Sequence, residues 1–260
     1  MVMKLGGFGL VKDYDAILQA GFDYAEMDMA EVEALSDQQF GAFCSLVAET
    51  GFPIPTAIKP LPFVEPVLFL PDFREISLEG YLRSTCRKNA QIGLKTILFG
   101  NGKARCLVDE DSIGREDVFI RFLRMLCDIA GENGQEVLIE PLSPYYSNYI
   151  NTLSEAARVI DRANMPNLFA MADLYHMVGV GEPLEDITRY RNLIRHVHVS
   201  DPLAFPARRY PLTHGGYDYA PFFEQLRDYH GMLTIEADVP DDWMRAGREG
   251  RAFLNAYSTV

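Results

Sequence analysis

The chain has 260 residues, of which 48% are apolar and 23% charged, and its 37 acidic and 24 basic side chains give a formal charge of −13 at pH 7. The composition excludes a disordered or fibrous chain. The acidity argues against nucleic acid as a partner, because phosphate backbones are repelled and the basic pairs Arg87-Lys88 and Arg208-Arg209 are too short to build a positive face. No apolar run reaches the roughly 18 residues of a membrane span, and residues 1–10 hold no apolar leader segment. The four cysteines, Cys44, Cys86, Cys106 and Cys127, form no CxxC pair. Neither a membrane partner, a disulfide framework nor a zinc ribbon is therefore expected, and the expected location is the cytoplasm.

Strand-like apolar runs alternate with amphipathic segments along the chain. A strand is predicted over 4–10, a helix over 13–20 and a strand over 24–29. Ser36 reads as a helix cap with Gln39 completing a capping box. Phe40, Phe43, Leu46 and Val47 then recur at helical spacing up to a stop at Gly51. A third strand is predicted over 54–58, interrupted by Pro55. Residues 60–76 form one long irregular stretch, with Pro60, Pro62, Pro66 and Pro71 among Phe63, Val67, Phe69, Leu70 and Phe73. It reads as a lid, an oligomer contact, or a loop packed on its own domain. A helix over 78–91 ends at Gly93, and a strand over 95–99 runs into Gly100-Asn101-Gly102. A helix over 115–130 carries Val118, Phe122, Met125, Leu126 and Ile129 on one face. Strands over 136–140, 168–172, 195–199 and 233–237 then alternate with helices over 153–162, 184–190, 220–229 and 242–256.

Eight strand–helix pairs, several with continuous apolar strands, predict an α/β fold, a (β/α)8 TIM barrel filling residues 1–260 as one domain. The competing reading, a doubly wound open sheet, needs a phosphate-binding turn, and Gly6-Gly7-Phe8-Gly9 lacks the GxGxxG spacing.

In a barrel of this kind chemistry sits at the C-terminal ends of the strands. Four consecutive predicted strands close with Glu140, Asp173, His198 and Glu236. One carboxylate at a strand end is commonly a helix cap or a loop ion pair. Three of them converging with an imidazole would repel one another unless a cation were present. The donor set suits a hard or borderline divalent ion, Mn2+ in the first place, with Mg2+ or Co2+ as alternatives. His196 is expected to point to the opposite side of its strand from His198 and to serve packing.

The motifs Val137-Leu-Ile-Glu140-Pro-Leu, Ile150-Asn151-Thr152, Met171-Ala-Asp173-Leu-Tyr-His176, His196-Val-His198-Val-Ser-Asp201-Pro, Asp218-Tyr-Ala-Pro-Phe-Phe223 and Leu233-Thr-Ile-Glu236 resemble the sugar phosphate isomerase/epimerase group of xylose isomerase-like barrels. That group includes ketose 3-epimerases, hydroxypyruvate isomerase and inosose dehydratase. Asp23-Tyr-Ala-Glu26 and Phe99-Gly-Asn-Gly are weaker matches. The resemblance implies that Glu140, Asp173, His198 and Glu236 bind the metal, and that Glu140 and Glu236 are the acid/base pair acting through a metal-stabilised enediolate. It further implies that His176 contacts a substrate oxygen and that Arg208 holds substrate oxygens. His214, in a Gly-flanked loop on the same side, is a candidate second polar contact.

The sequence departs from the epimerase pattern where that pattern has an arginine and a second glutamate, here Pro144 and Tyr146. Tyr146 replaces a charge by an aromatic ring that can stack or donate a hydrogen bond, which points to a different or less hydrophilic substrate. Three functions follow: an isomerase or epimerase of a small keto sugar or hydroxy-keto compound; a lyase or dehydratase on the same scaffold, including cleavage of a C-glycoside; or a non-catalytic accessory subunit. The related apurinic endonucleases use histidines at early strand ends, whereas all five histidines here lie at or after position 176. No nucleotide cofactor is implied. A homo-oligomer is expected, with a hetero-subunit as an alternative assembly.

Overall fold

The computed structural model describes residues 3–211 and 216–257. Eight parallel strands follow one another around a closed barrel: β1 (Lys4–Phe8), β2 (Tyr24–Asp28), β3 (Thr56–Ile58), β4 (Thr96–Phe99), β5 (Glu136–Ile139), β6 (Leu168–Asp173), β7 (Ile194–Val199) and β8 (Met232–Ile235). Closure is made by β1 on β8, with Lys4 opposite Met232 and Gly7 opposite Ile235. Closing the sheet leaves no unpaired edge. Around it lie α1 (Tyr14–Gln19), α2 (Met29–Ala34), α3 (Asp37–Thr50), α4 (Glu79–Gln91), α5 (Glu116–Glu132), α6 (Leu153–Ala163), α7 (Leu174–Val180), α8 (Glu185–Arg189), α9 (Ala220–Gln225) and α10 (Trp243–Tyr257). None of these helices is long and apolar enough to cross a membrane.

Strand alternation divides the interior in two. Residues such as Val137, Ile139, Val197, Val199, Leu233 and Ile235 face outward into the large core beneath the helices. Ile58, Leu98, Leu138 and Met171 face inward and form a small apolar plug with Phe8 and Phe169. Above and beside that plug the inward positions are polar, and these build the site.

The predicted elements agree with the observed ones to within two residues, with one exception. The helix expected over 220–229 ends at Gln225, and residues 226–228 continue only as a turn. The capping box of α3 is present, with Ser36 accepting from the Gln39 amide, and Gly51 ends the helix at φ 63°. Two short helices were not foreseen. Each starts directly at a strand end that supplies its own cap: the Asp28 side chain accepts from the amides of Ala30 and Glu31 before α2, and Asp173 accepts from the Tyr175 amide before α7.

Residues 60–74 are irregular, a 3-10 turn begins at Glu75, and the stretch packs on its own barrel. Leu61, Leu68, Phe69 and Phe73 are buried, while Phe63, Val64 and Leu70 are exposed. Phe69 stacks on Phe119 at 5.6 Å and meets Tyr149 edge-on at 5.0 Å. Glu65 accepts hydrogen bonds from Asn101 Nδ2 at 2.9 Å and the Ala104 amide at 3.0 Å, tying this loop to the one after β4.

Candidate active site

Asp173 is the last residue of β6, His198 the last but one of β7, and Glu140 and Glu236 directly follow β5 and β8. Register places Asp173 beside His198. One donor atom from each of Glu140, Asp173, His198 and Glu236 lies within 4.8 Å of the others. His198 Nδ1 is 3.2 Å from Glu236 Oε2 and 3.8 Å from Glu140 Oε1. All four are between 0% and 9% exposed. Glu140 Oε1 is buried and makes no hydrogen bond among the described residues. Buried anionic oxygens are ordinarily satisfied, so this atom marks a place where a cation fits. Three carboxylates and an imidazole are also the donor chemistry of a divalent ion with a mainly oxygen shell.

Arg208 enters this cluster from the loop after β7. Its Nη1 donates to Asp173 Oδ2 at 3.1 Å and to Glu236 Oε2, and its guanidinium lies over the Tyr175 ring at 4.6 Å. Burial opposes ionisation of Glu236, but the Arg208 charge, aided by His198, outweighs it and holds the carboxyl at about 2. His176 Nδ1 accepts the Ser143 amide proton at 3.1 Å. The neutral ring must then carry its proton on Nε2, facing the site. Burial keeps that ring neutral by pushing its pKa down to about 4, against the pull of Asp173. His176 Nε2 and Arg208 Nη2 stand 2.6 Å apart. In that tautomer both atoms carry hydrogens, so the pair is two donors in close contact at the edge of the cluster.

Tyr146 stands at the mouth. Its ring meets His176 edge-on at 5.2 Å and its hydroxyl is 3.2 Å from that of Tyr175. Tyr145, exposed, and Phe205 extend this aromatic wall outward, 5.2 Å apart. His214 lies outside the described residues.

The expectation for His196 is corrected. Side chains alternate with period two, so residues 196 and 198 share a face, and both rings point into the barrel at a centroid distance of 5.0 Å. Between them sits Glu26 of β2, fully buried, 3.0 Å from His196 Nε2 and 2.8 Å from His198 Nε2. Glu26 was seen in the sequence only as part of a weak motif, and its alternation with the outward-facing Ala25 and Met27 was the available signal. Two other members were missed. Arg105 is fully buried and donates to the backbone oxygens of Glu140 and, at 3.4 Å, Phe99, clamping the ends of β5 and β4 together. Gly100 leaves room for the Glu140 carboxylate, which lies where a side chain at position 100 would start.

A family model described as xylose isomerase-like TIM barrel matches residues 14–257. The chain is similar to 3-dehydro-D-guloside 4-epimerase of Escherichia coli (strain K12), 33% identical over 139 residues that cover 51% of this chain and 50% of that protein. It is also similar to L-ribulose 3-epimerase of Methylomonas sp. (strain DH-1), 29% identical over 118 residues, 44% of this chain and 40% of that protein. These matches span about half the length of those curated relatives or less. Among solved structures, 3-keto-D-glucoside 4-epimerase of E. coli superposes with a TM-score of 0.78 at 24% identity, covering 97% of this chain and 99% of that one. D-allulose 3-epimerase of Methylomonas sp. in complex with D-allulose superposes at 0.81 and 18% identity, covering 98% and 97%. At these identities the structural likeness speaks to the fold.

Proposed function

The chain belongs to the xylose isomerase-like TIM barrel family, and from that premise we propose that it is a divalent-metal-dependent isomerase or epimerase of a small keto sugar or its derivative, acting as one barrel domain. The observation that carries this reading is the convergence of Glu140, Asp173, His198 and Glu236, with Glu140 Oε1 left without a hydrogen bond. These four residues would hold the ion. When bound, the ion supplies positive charge against the negative charge that develops on substrate oxygens.

The remaining work falls to the side chains. Glu140 and Glu236 are the two carboxylates of the cluster free of a helix-capping role. One removes a proton from the carbon next to the carbonyl and the other delivers a proton to its neighbour or to the opposite face. His176 and Arg208, in contact with each other beside the cluster, are the donors that hold substrate oxygens. Asp173 accepts from Arg208 Nη1 and positions its guanidinium. Tyr146 and Tyr175 close the site on the solvent side, excluding water from the carbanion-like stage. Support also comes from the similar proteins, whose names describe epimerases of keto sugars and keto-glycosides.

The test is elemental analysis of the purified protein together with solvent-deuterium exchange into D-allulose, L-ribulose and a 3-keto-glucoside. Near-stoichiometric Mn, Mg or Co that is lost in Glu140→Gln and Asp173→Asn, with exchange in one substrate class, supports the reading. A folded protein that takes up no divalent metal after supplementation overturns it. A product lighter by water or by the sugar's substituent would assign a lyase instead.

A further inference from the structure

The backbone at Glu140 lies just past the end of a ladder. Even-numbered residues of β5 pair toward β4: the Glu136 amide donates to Lys95 O at 2.9 Å, and the Glu140 amide reaches Phe99 O at 3.4 Å. In a parallel ladder such a residue also accepts from the amide two positions beyond the one it donates to, which at Glu140 would be that of Asn101. But β4 ends at Phe99, and the chain turns away through Gly100-Asn101-Gly102 into a 3-10 turn, Lys103–Arg105. The Glu140 carbonyl is met instead by a side chain. Arg105 Nη2 donates to it, and Nη1 of the same guanidinium donates to Phe99 O at 3.4 Å. Arg105 is fully buried. Burying a guanidinium is costly, and an apolar side chain would fill this space with less opposition if packing alone were required.

The turn that carries Arg105 is itself anchored. Its Ala104 amide donates to Glu65 Oε2 at 3.0 Å, Asn101 Nδ2 donates to Glu65 Oε1 at 2.9 Å, and the Arg105 amide donates to Gly102 O at 3.2 Å. Gly102 presses the turn against the loop after β5, where an added Cβ would stand 2.7 Å from Tyr146 O and 2.9 Å from Leu142 Cδ1. A guanidinium presents its donors as a rigid planar fork. With the turn held, the fork holds Phe99 O and Glu140 O at a set spacing, and the Glu140 side chain departs from a fixed backbone. We propose that Arg105 is a positioning residue for Glu140: in place of a backbone amide, its guanidinium completes the β4–β5 ladder at the residue that delivers a carboxylate to the cation. Asp173 and His198 have no such need, since they lie within paired strands, opposite one another. The inference rests on the metal-dependent reading above and adds a residue to it.

The test uses the full chain and Mn2+ alone as probe, so no substrate is needed. Groups that hydrogen-bond and orient metal ligands typically contribute about 10–100-fold to metal affinity. Arg105→Lys keeps the positive charge but loses the fork that spans two carbonyls, and it is expected to weaken Mn2+ binding by about that factor, as read by calorimetry on the folded protein. Phe43→Ala is the control. Phe43 is buried in α3 against Tyr14, at 5.5 Å, outside the elements that carry the clamp, so its loss should lower the Tm and leave Mn2+ affinity at the wild-type value. Should Arg105→Lys not fold, Glu65→Ala decides the matter: it frees the turn below Arg105 and is expected to weaken Mn2+ binding in the same direction. Wild-type Mn2+ affinity in folded Arg105→Lys, or in Glu65→Ala where that variant decides, overturns the proposal. So does an equal loss in Phe43→Ala, which would mean that affinity follows general loosening of the barrel. Failure of the wild type to bind Mn2+ would remove the metal-dependent function and this inference with it, whereas wild-type binding with indifferent variants removes the inference alone.

Discussion

Replacing Gly100 by alanine probes the position of Glu140 without touching its chemistry. An added Cβ at residue 100 would stand 2.0 Å from Glu140 Oε2 and 3.3 Å from its Cδ. A retreat of about 1.4 Å restores the 3.4 Å of an ordinary contact. The struck atoms are the end of a side chain, so the fold yields there at modest expense. About 1 kcal/mol is the low end of what overpacking costs, or roughly 2–4 °C in Tm for a chain of this size. The effect on function is much larger, because a misplacement of about 1 Å in a reacting group costs on the order of 100-fold in rate. The expected outcome for Gly100→Ala is a near-native Tm, reduced metal content and a proton-exchange rate lower by about two orders of magnitude. Thermal denaturation, elemental analysis and solvent-deuterium exchange measure the three together. Wild-type exchange in a stable Gly100→Ala protein would refute the placement of Glu140 at the reacting centre, and a loss of activity matched by unfolding would refute the reasoning from local collision.

Three further outcomes follow from the structure. Phe119 is fully buried among Phe69, Phe99, Phe122 and Tyr149 at centroid distances of 5.4–6.3 Å, so Phe119→Ala should cost about 3–5 kcal/mol in chemical denaturation, and a cost under about 1 kcal/mol would contradict the packing. Burial pushes Glu182 up to about 7, although its Oε1 accepts from the Leu153 amide at 2.7 Å. Between about 4.3, its unfolded value, and about 7 the folded chain holds the extra proton, so stability falls as pH rises through this window. Glu182→Gln should flatten the decline of Tm between pH 5 and 8, and an identical decline in both proteins would show that Glu182 is not its source. Chelation should lower the wild-type Tm, and Mn2+ at about 100 times its Kd should restore about 2.7 kcal/mol, a gain that Asp173→Asn should lack.

The alternation of eight strands with helices was legible because each element is specified locally: short runs of strand-forming apolar and β-branched residues such as Thr96–Phe99, the Ser36/Gln39 capping box, the stop at Gly51. The four cluster residues were legible for a related reason. In a parallel barrel every strand end opens on the same face, so chain position alone assigns Glu140, Asp173, His198 and Glu236 to one mouth. The shared face of His196 and His198 was equally within reach, since it follows from alternation, and the contrary expectation misapplied that period. The proximity of Glu26 to His198 was not legible, because the two are 172 residues apart and meet only once β2 and β7 face each other across a closed barrel. Nor did the sequence indicate that the Arg208 guanidinium reaches between Asp173 and Glu236, that Arg105 clamps the strand ends below Glu140, or that Gly100 leaves space for a carboxylate from the neighbouring strand. Periodicity fixes which way a residue faces relative to its own strand; which group it meets there depends on barrel closure and register, and these arise from the packing of the whole chain.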